Sequence, residues 1–426
     1  MLLPKFLAYL PKLTTHNLQL ETFLYSLLTN YLFMYPNLYF AFKDLFGVEW
    51  NFLRFVNSFG FFVAIAFIVS AIVLANELKR KSKQGLFQPT EMQVTVGKPA
   101  SYLDLGLNFL LGFLLGFKIV ALFIMDSSAT EDPQAFIFST LGSWPAGILL
   151  GLLFAGMKWW EKNKQKLAKP ETRNVRIWPH DRVGEITILA LVFGLLGAKL
   201  FDIFENWGDF LKHPNDYIFS AKGLTFYGGL ICAALAIWWY AKKHKIGFWH
   251  LNDALAPTMM LAYSMGRIGC QVSGDGDWGI VNNNPKPFSW LPDWMWAYKY
   301  PHNVNEIGVP IPGCEGKFCN ELAAAVYPTA LYEIIICFIL FLLLMSLRKK
   351  LKVPGTMMAL YLMLNGMERF FIEKIRVNTR LDLFGLHPTQ AEVISTLLFL
   401  TGLCIWIYLA RKAKHKKAAS NTAKSV

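Results

Sequence analysis

Apolar residues recur along this chain in runs of about 20, the length a helix needs to cross the hydrocarbon of a bilayer. The runs predict spanning helices near 57–78, 103–125, 137–157, 184–203, 223–241, 251–270, 328–347, 355–373 and 389–410. Phe23 to Phe42 is apolar as well, but Asn30, Pro36 and Asn37 interrupt it. Its many aromatics suit the headgroup region, so residues 1–55 read as an interfacial segment rather than a further span. The first residues lack the basic stretch, compact apolar core and small-residue cleavage site of a secretory signal.

Two stretches break the rhythm of spans. Residues 271–326 are rich in Pro, Asn, Gly and Trp and far longer than an ordinary helix connection, which predicts a small head on the outer face. The Lys/Ala/Ser-rich end, 411–426, predicts a disordered basic cytoplasmic tail. Between them, 56–410 reads as one membrane domain, so the fold class expected is an all-α polytopic membrane protein of about nine transmembrane helices.

Composition agrees: 54% of the 426 residues are hydrophobic and 15% aromatic, and the mean hydropathy is +0.35. The formal charge of +13 would point to nucleic acid in a soluble protein. Here it collects in alternate loops, at Lys79 to Lys83, Lys158 to Arg182, Lys242 to Lys245, Arg348 to Lys352 and Arg411 to Lys417. Positive-inside retention explains that pattern, excludes the need for a nucleic-acid partner, and puts the start of the first helix outside and the C-terminus in the cytoplasm.

Cys232, Cys270, Cys337 and Cys404 lie in or beside apolar runs, where cysteine serves as a small hydrophobe. Cys314 and Cys319, in the outer loop, could close a small ring or remain two free thiols. Paired CxxC motifs, HExxH, a Walker loop, GxSxG and GxGxxG do not occur, which removes sequence support for a metalloprotease, an ATPase or an ordinary serine hydrolase.

The candidate chemistry clusters at the outer ends of apolar runs. In Leu261 to Ile280, LAYSMGRIGCQVSGDGDWGI, an apolar helix reaches Arg267 and opens into a Gly- and Asp-rich turn. An arginine at membrane depth is costly and marks a site. Gly266 and Gly269 on either side would let a bulky anion approach its guanidinium, as a phospholipid phosphate would. Arg369, Glu373 and Arg376 are spaced i, i+4, i+7 and share a helix face, either as an ion-paired helix end or as a grip on an anionic headgroup. Glu333, in Tyr327-Pro328-Thr329-Ala330-Leu331-Tyr332-Glu333, could cap its helix or orient an arginine. In Gly223-Leu224-Thr225-Phe226-Tyr227-Gly228-Gly229 the glycines could serve close helix packing, or Tyr227 could present its hydroxyl to a ligand.

Taken in order, the Gly-Arg-Ile-Gly element with its Gly-Asp turn and Trp-Gly, GLTFYGG, YPTALYE and the RFFIE helix resemble bacterial prolipoprotein diacylglyceryl transferase. The resemblance runs from about Phe59 to Ala410 and is interrupted between roughly 80 and 182, so a seven-helix core plus two inserted helices accounts for the nine. It implies transfer of the diacylglyceryl group of phosphatidylglycerol to the lipobox cysteine of a prolipoprotein signal peptide, forming a thioether and releasing glycerol 1-phosphate. It also implies the bacterial cytoplasmic (inner) membrane, a site toward the outer face, and no metal or organic cofactor.

By the same resemblance, Arg267 is the signature arginine and Arg369 the second essential one, followed by Glu373 and Arg376. Asp275 and Gly279 fall in the signature turn, which here has one extra residue between Gly274 and Trp278. The family's usual histidine is Tyr227, and the asparagine after Arg-Ile-Gly is Cys270. A tyrosine titrating near 10 is a poor base at neutral pH, so the substrate thiol, ionising near 8.5, is expected to need little help. A transporter or flippase for an anionic lipid or solute is the alternative, and a structural scaffold a third. Charges near helix ends, a head on one face and no inverted repeat speak against transport.

Overall fold

The computed structural model describes residues 34–121, 136, 140–218, 223, 225–378, 380–382 and 387–422. Most of the expected interfacial segment, the end of the second expected span and the last four residues of the tail lie outside them. The described residues are mainly helical: α1 (Leu38–Phe46), α2 (Ser58–Lys83), α3 (Tyr102–Leu115), α4 (Trp144–Lys164), α5 (Val183–Glu205), α6 (Phe226–Lys243), α7 (Phe248–Ser273), α8 (Thr329–Leu347), α9 (Thr356–Glu373) and α10 (Gln390–Thr422).

Among the described residues, five helical stretches are long and apolar enough to cross a membrane: Ser58–Lys83, Tyr102–Val120, Pro179–Glu205, Thr329–Leu347 and Gln390–His415. The 19 residues of α8 extend about 28 Å, close to the hydrocarbon thickness. The polar content of α7 and α9 sets them apart. Asp253, Pro257 and Arg267 lie in α7, and Asn365, Glu368, Arg369 and Glu373 in α9. Those two helices carry the candidate site.

The chain divides into two compact units. The first comprises Met1–Ala64, Tyr263–Ile339 and Asn365–Phe399. Its head buries Met34, Tyr298, Tyr300, Leu322 and Val326, with Trp278 and Trp294 packed against them. Val326 bridges both Val281 and Tyr298, and Val309–Pro310 (β3) pairs antiparallel with Asn320–Glu321 (β4). Cys314 and Cys319 form a disulfide in the loop between β3 and β4, their Cα atoms 5.6 Å apart. In α1, the Asn37 side chain accepts a hydrogen bond from the Phe40 amide at 3.3 Å, and Gly47 ends the helix in the left-handed region.

The second unit comprises Ile65–Ala262, Leu340–Leu364 and Leu400–Val426. Its core gathers Leu74, Leu78, Val183, Ile186, Tyr240, Leu251 and Ala254. Helices α3 and α4 pack so closely that a Cβ on Gly112 would lie 2.5 Å from the Leu150 carbonyl oxygen, and α5 and α6 meet likewise at Gly197 and Gly228. Asp253 accepts the amides of Gly355 at 2.8 Å and Met358 at 3.1 Å, which satisfies the start of α9.

The mainly helical architecture agrees with the all-α membrane class expected, with one small addition and one correction. The addition is a ribbon: Thr90–Val96 (β1) pairs antiparallel with Glu171–Ile177 (β2), from Thr90 opposite Ile177 to Val96 opposite Glu171. Alternation of polar and apolar residues is confined to Glu91–Val96 and to the end of β2, Val175–Ile177, a short signal that a search for runs of span length passes over. The ribbon joins the two ends of the α3–α4 excursion. The tail is not disordered up to Thr422, since α10 continues through the basic stretch. Lys and Ala are good helix formers, and extending an existing helix carries no nucleation cost.

Candidate functional site

The first unit brings three arginines around one buried carboxylate. On α7, Tyr263, Arg267 and Cys270 stand at i, i+4 and i+7 and so share a face. Gly274, at φ +61, stops the helix, and Gly276, at φ +100, turns the chain back. At Gly279 the returning chain runs between two others: its amide donates to the Tyr327 carbonyl at 2.8 Å, and the next amide, of Ile280, donates to Ile375 at 2.9 Å. A Cβ on Gly279 would lie 2.5 Å from the Ile375 oxygen and 2.8 Å from the Tyr327 Cβ, so only glycine fits. This crossing sets the start of α8 and the end of α9 beside the turn.

Glu333, wholly buried in α8, is the centre. Its Oε1 accepts from the Tyr263 hydroxyl at 2.6 Å and from Arg369 Nη1 at 3.0 Å. Its Oε2 lies 3.0 Å from Arg267 Nε and 3.7 Å from Arg376 Nη1, as ion-pair contacts off the hydrogen-bond direction. Capping is therefore not its main task. Arg369 also meets Glu373 at 3.0 Å, and Glu373 accepts from the Asn378 amide group at 2.5 Å.

The opposite edge of the cluster is closed by Asp277. One of its oxygens takes Arg267 Nη1 and the other takes Arg376 Nη2. Arg267 is thereby engaged on every nitrogen, since Nη2 also reaches the Tyr263 hydroxyl at 3.5 Å and Nη1 the Cys270 sulfur at 3.7 Å. Burial, then the like charge of Arg267, push the Arg376 guanidinium down to about 10, which leaves it cationic at neutral pH.

Arg267, Arg369, Arg376, Glu333 and Glu373 are thus joined in one network. Asp275 sits beside it, but its carboxylate accepts the Asp277 amide at 3.3 Å and shapes the turn. Gly266 has open space where a Cβ would point, whereas Gly269 is pressed to 3.1 Å from the Phe59 backbone, a packing role. Tyr227 stands half-buried at the second position of α6, in the other unit. The sequence reading missed Tyr263 and Asp277; the i, i+4 spacing of Tyr263 to Arg267 was a usable signal for the first. Cys270, Asp275 and Asp277 bring a thiol and two carboxylates within 4.8 Å. With two guanidiniums already on Asp277, that trio reads as part of the charge network rather than as a cation site.

The chain is similar to known proteins over the part that holds this network. The family model described as prolipoprotein diacylglyceryl transferase matches residues 143–408. The match takes in every residue of the network and opens inside the interruption at 80–182. Phosphatidylglycerol–prolipoprotein diacylglyceryl transferase of Dehalococcoides mccartyi is 28% identical over 290 residues, covering 66% of this chain and 95% of the relative. The Clostridioides difficile protein of that name is 30% identical over 251 residues, 58% of this chain and 86% of the relative. That of Photobacterium profundum is 28% identical over 270 residues, 62% and 87%. With more than half of its length matched by the family model, and the arginine network inside the matched span, the chain belongs to the prolipoprotein diacylglyceryl transferase family.

Proposed function

We propose that this chain transfers the diacylglyceryl group of phosphatidylglycerol to the lipobox cysteine of prolipoproteins. The observation that carries the reading is the convergence of Arg267, Arg369 and Arg376 on Glu333 and Asp277, which gathers three guanidiniums in one place where an anionic headgroup could meet them. The relatives' names supply the substrates, and each relative given above is a transferase rather than a transporter.

In the reaction the substrate thiolate attacks the phosphate-bearing carbon of the diacylated glycerol. A C–S bond forms, the C–O bond breaks, and glycerol 1-phosphate leaves with the bonding electrons while the thiol proton passes to water. Guanidiniums facing the phosphate oxygens stabilise the charge gathering there, a contribution commonly worth about 3 to 4 kcal/mol per donor in a water-poor site. The same positive field favours the thiolate over the thiol. Arg267 and Arg369 are assigned to this clamp, with Gly266, Gly269, Asp275, Gly279, Glu333, Glu373 and Arg376 forming and orienting it. Tyr227 is assigned to orient the headgroup or thiol by a hydrogen bond.

The proposed setting is the bacterial inner membrane, with nine spans, the site toward the outer face and the tail from 411 in the cytoplasm. Residues 1–55 would lie at the interface, 56–410 would form the transferase domain, and 271–326 its outer head. Although the matched span opens at residue 143, two contacts support α2 as a core helix and 80–182 as the insert. Phe59 of α2 abuts Gly269 of the signature helix, and the β1–β2 ribbon closes the excursion on itself. The deciding assay incubates purified protein with phosphatidylglycerol and a lipobox peptide. Mass spectrometry should find diacylglyceryl on the cysteine; an unmodified peptide in the presence of bound lipid sinks the reading.

A further inference from the structure

Arg267, assigned to the phosphate, is not vacant: a carboxylate from the protein itself, Asp277, sits on it and on Arg376. Of the three acidic partners in the network, Glu333 and Glu373 are buried within helices. Asp277 differs in both respects. It lies on the turn after α7, and its side chain keeps 30% of its surface exposed. Arg369 is held by Glu333 and Glu373, both inaccessible. Asp277 is the partly exposed acid of the network, so the edge where an incoming anion can exchange with a protein carboxylate is the one at Arg267 and Arg376, beside Arg369.

Two further observations bear on whether this carboxylate can leave. The Asp277 main chain is fixed, its carbonyl accepting from Thr329 Oγ1 at 2.7 Å and its amide donating to Asp275, so departure needs only a side-chain rotation into the exposed side. Arg376 Nη1 is buried with no hydrogen-bond acceptor. A buried donor in that condition is costly unless a ligand completes it. A phosphate offers several acceptor oxygens where the carboxylate offers two, so it could take the places of both Asp277 oxygens and satisfy Nη1 as well.

We infer that Asp277 is a resident anion that holds the phosphate subsite on Arg267 and Arg376, yields it to the phosphodiester of the lipid, and returns to expel the product. The inference rests on the transferase reading for the identity of that anion. Detachment gives the cycle a direction. Once the C–O bond is broken, the phosphate monoester is a free solute no longer held at the site by its acyl chains, so Asp277 can return to the guanidiniums as it leaves. Asp277 thus acts as a specificity and release residue and takes no part in bond making.

A ligand that must first displace a resident group binds with its affinity reduced by the fraction of time the site is open. Asp277→Asn keeps the shape and removes the charge. In a phosphate-free detergent without added lipid, the affinity of this variant for glycerol 1-phosphate should rise roughly tenfold over the unaltered protein, if the site is open about a tenth of the time. The KM for phosphatidylglycerol should fall while kcat falls too, because product leaves slowly. Asp277→Glu, which keeps the charge, should not show the rise in glycerol 1-phosphate affinity. Asp277→Ser provides a second charge-free variant should the asparagine protein fold poorly, with the same expectation. Equal or weaker binding of glycerol 1-phosphate in the folded charge-free variants overturns the inference. The binding arm is separate from the transfer reaction: tighter phosphate binding in a protein that never modifies the lipobox peptide keeps the resident anion and removes the transferase reading.

Discussion

Tyr263 and Glu333 meet at 2.6 Å between α7 and α8, on the same carboxylate oxygen that takes the Arg369 hydrogen bond. A wholly buried carboxylate with a phenol and three guanidiniums around it is the counter-charge that lets the arginines be buried at all. Removing one partner of such a group leaves the others uncompensated, at a cost of about 3 to 5 kcal/mol. Glu333→Gln should therefore lower thermal stability in detergent by an amount of that order and abolish transfer. Tyr263→Phe, which spares the ions, should cost about 1 to 3 kcal/mol. A Glu333→Gln protein with unchanged melting and turnover would show that the network is ornamental.

Arg267 uses all three of its nitrogens, and Arg369 divides its two terminal nitrogens between Glu333 and Glu373. A lysine keeps one charge but cannot span two acceptors in fixed geometry. Arg267→Ala and Arg369→Ala should each depress transfer by two or more orders of magnitude, roughly the loss of one oxyanion donor, and lysine should restore little of it. Membrane abundance should persist. Near-normal turnover in either alanine variant removes that arginine from the clamp.

The five spans found among the described residues were legible because period and length are local properties: a run of about 20 apolar residues reads the same wherever it packs. The arginines were legible for a related reason, since a charge within such a run has few explanations. The partner of Arg267 was not. Asp275 and Asp277 stand two apart in one turn, and which of them faces the guanidiniums depends on Gly274 and Gly276, whose positive φ angles the sequence allows but does not require. Glu333 read equally as a cap or a partner until the crossing at Gly279 set the start of α8 beside Arg267. The β1–β2 ribbon escaped because its strands are seven residues each, too short to register against helices of span length.

Gly279 offers a test of that crossing independent of charge. A methyl group there would collide with main-chain oxygen of Ile375 at 2.5 Å rather than with a flexible side chain, so the turn and the end of α9 must part. Gly279→Ala should cost about 1 to 3 kcal/mol of stability, as overpacking does, and displace Arg376 along with it. The measurement is transfer activity together with proteolytic sensitivity of the 374–382 segment. Gly266→Ala, where nothing lies within 4 Å of the added carbon, is the control and should fold normally.

Tyr227 stands where the resemblance places a histidine, at the second position of α6. If it orients the headgroup or the thiol through one hydrogen bond, Tyr227→Phe loses roughly 1 to 3 kcal/mol of transition-state stabilisation, a slowing of about 5- to 150-fold. An essential base would lose nearly everything. The orienting role is expected, because a phenol titrating near 10 is almost wholly protonated at neutral pH, while a thiol near 8.5 already supplies some thiolate and gains more beside arginines. The pH profile separates the two roles. Tyr227→His would introduce a group titrating near 6.5, and a base at this position would carry the rate's dependence on pH toward neutrality with it. With an orienting tyrosine, the profile should keep following the substrate thiol in both variants. A phenylalanine variant that folds, binds lipid and shows no turnover at any pH would instead make Tyr227 the base.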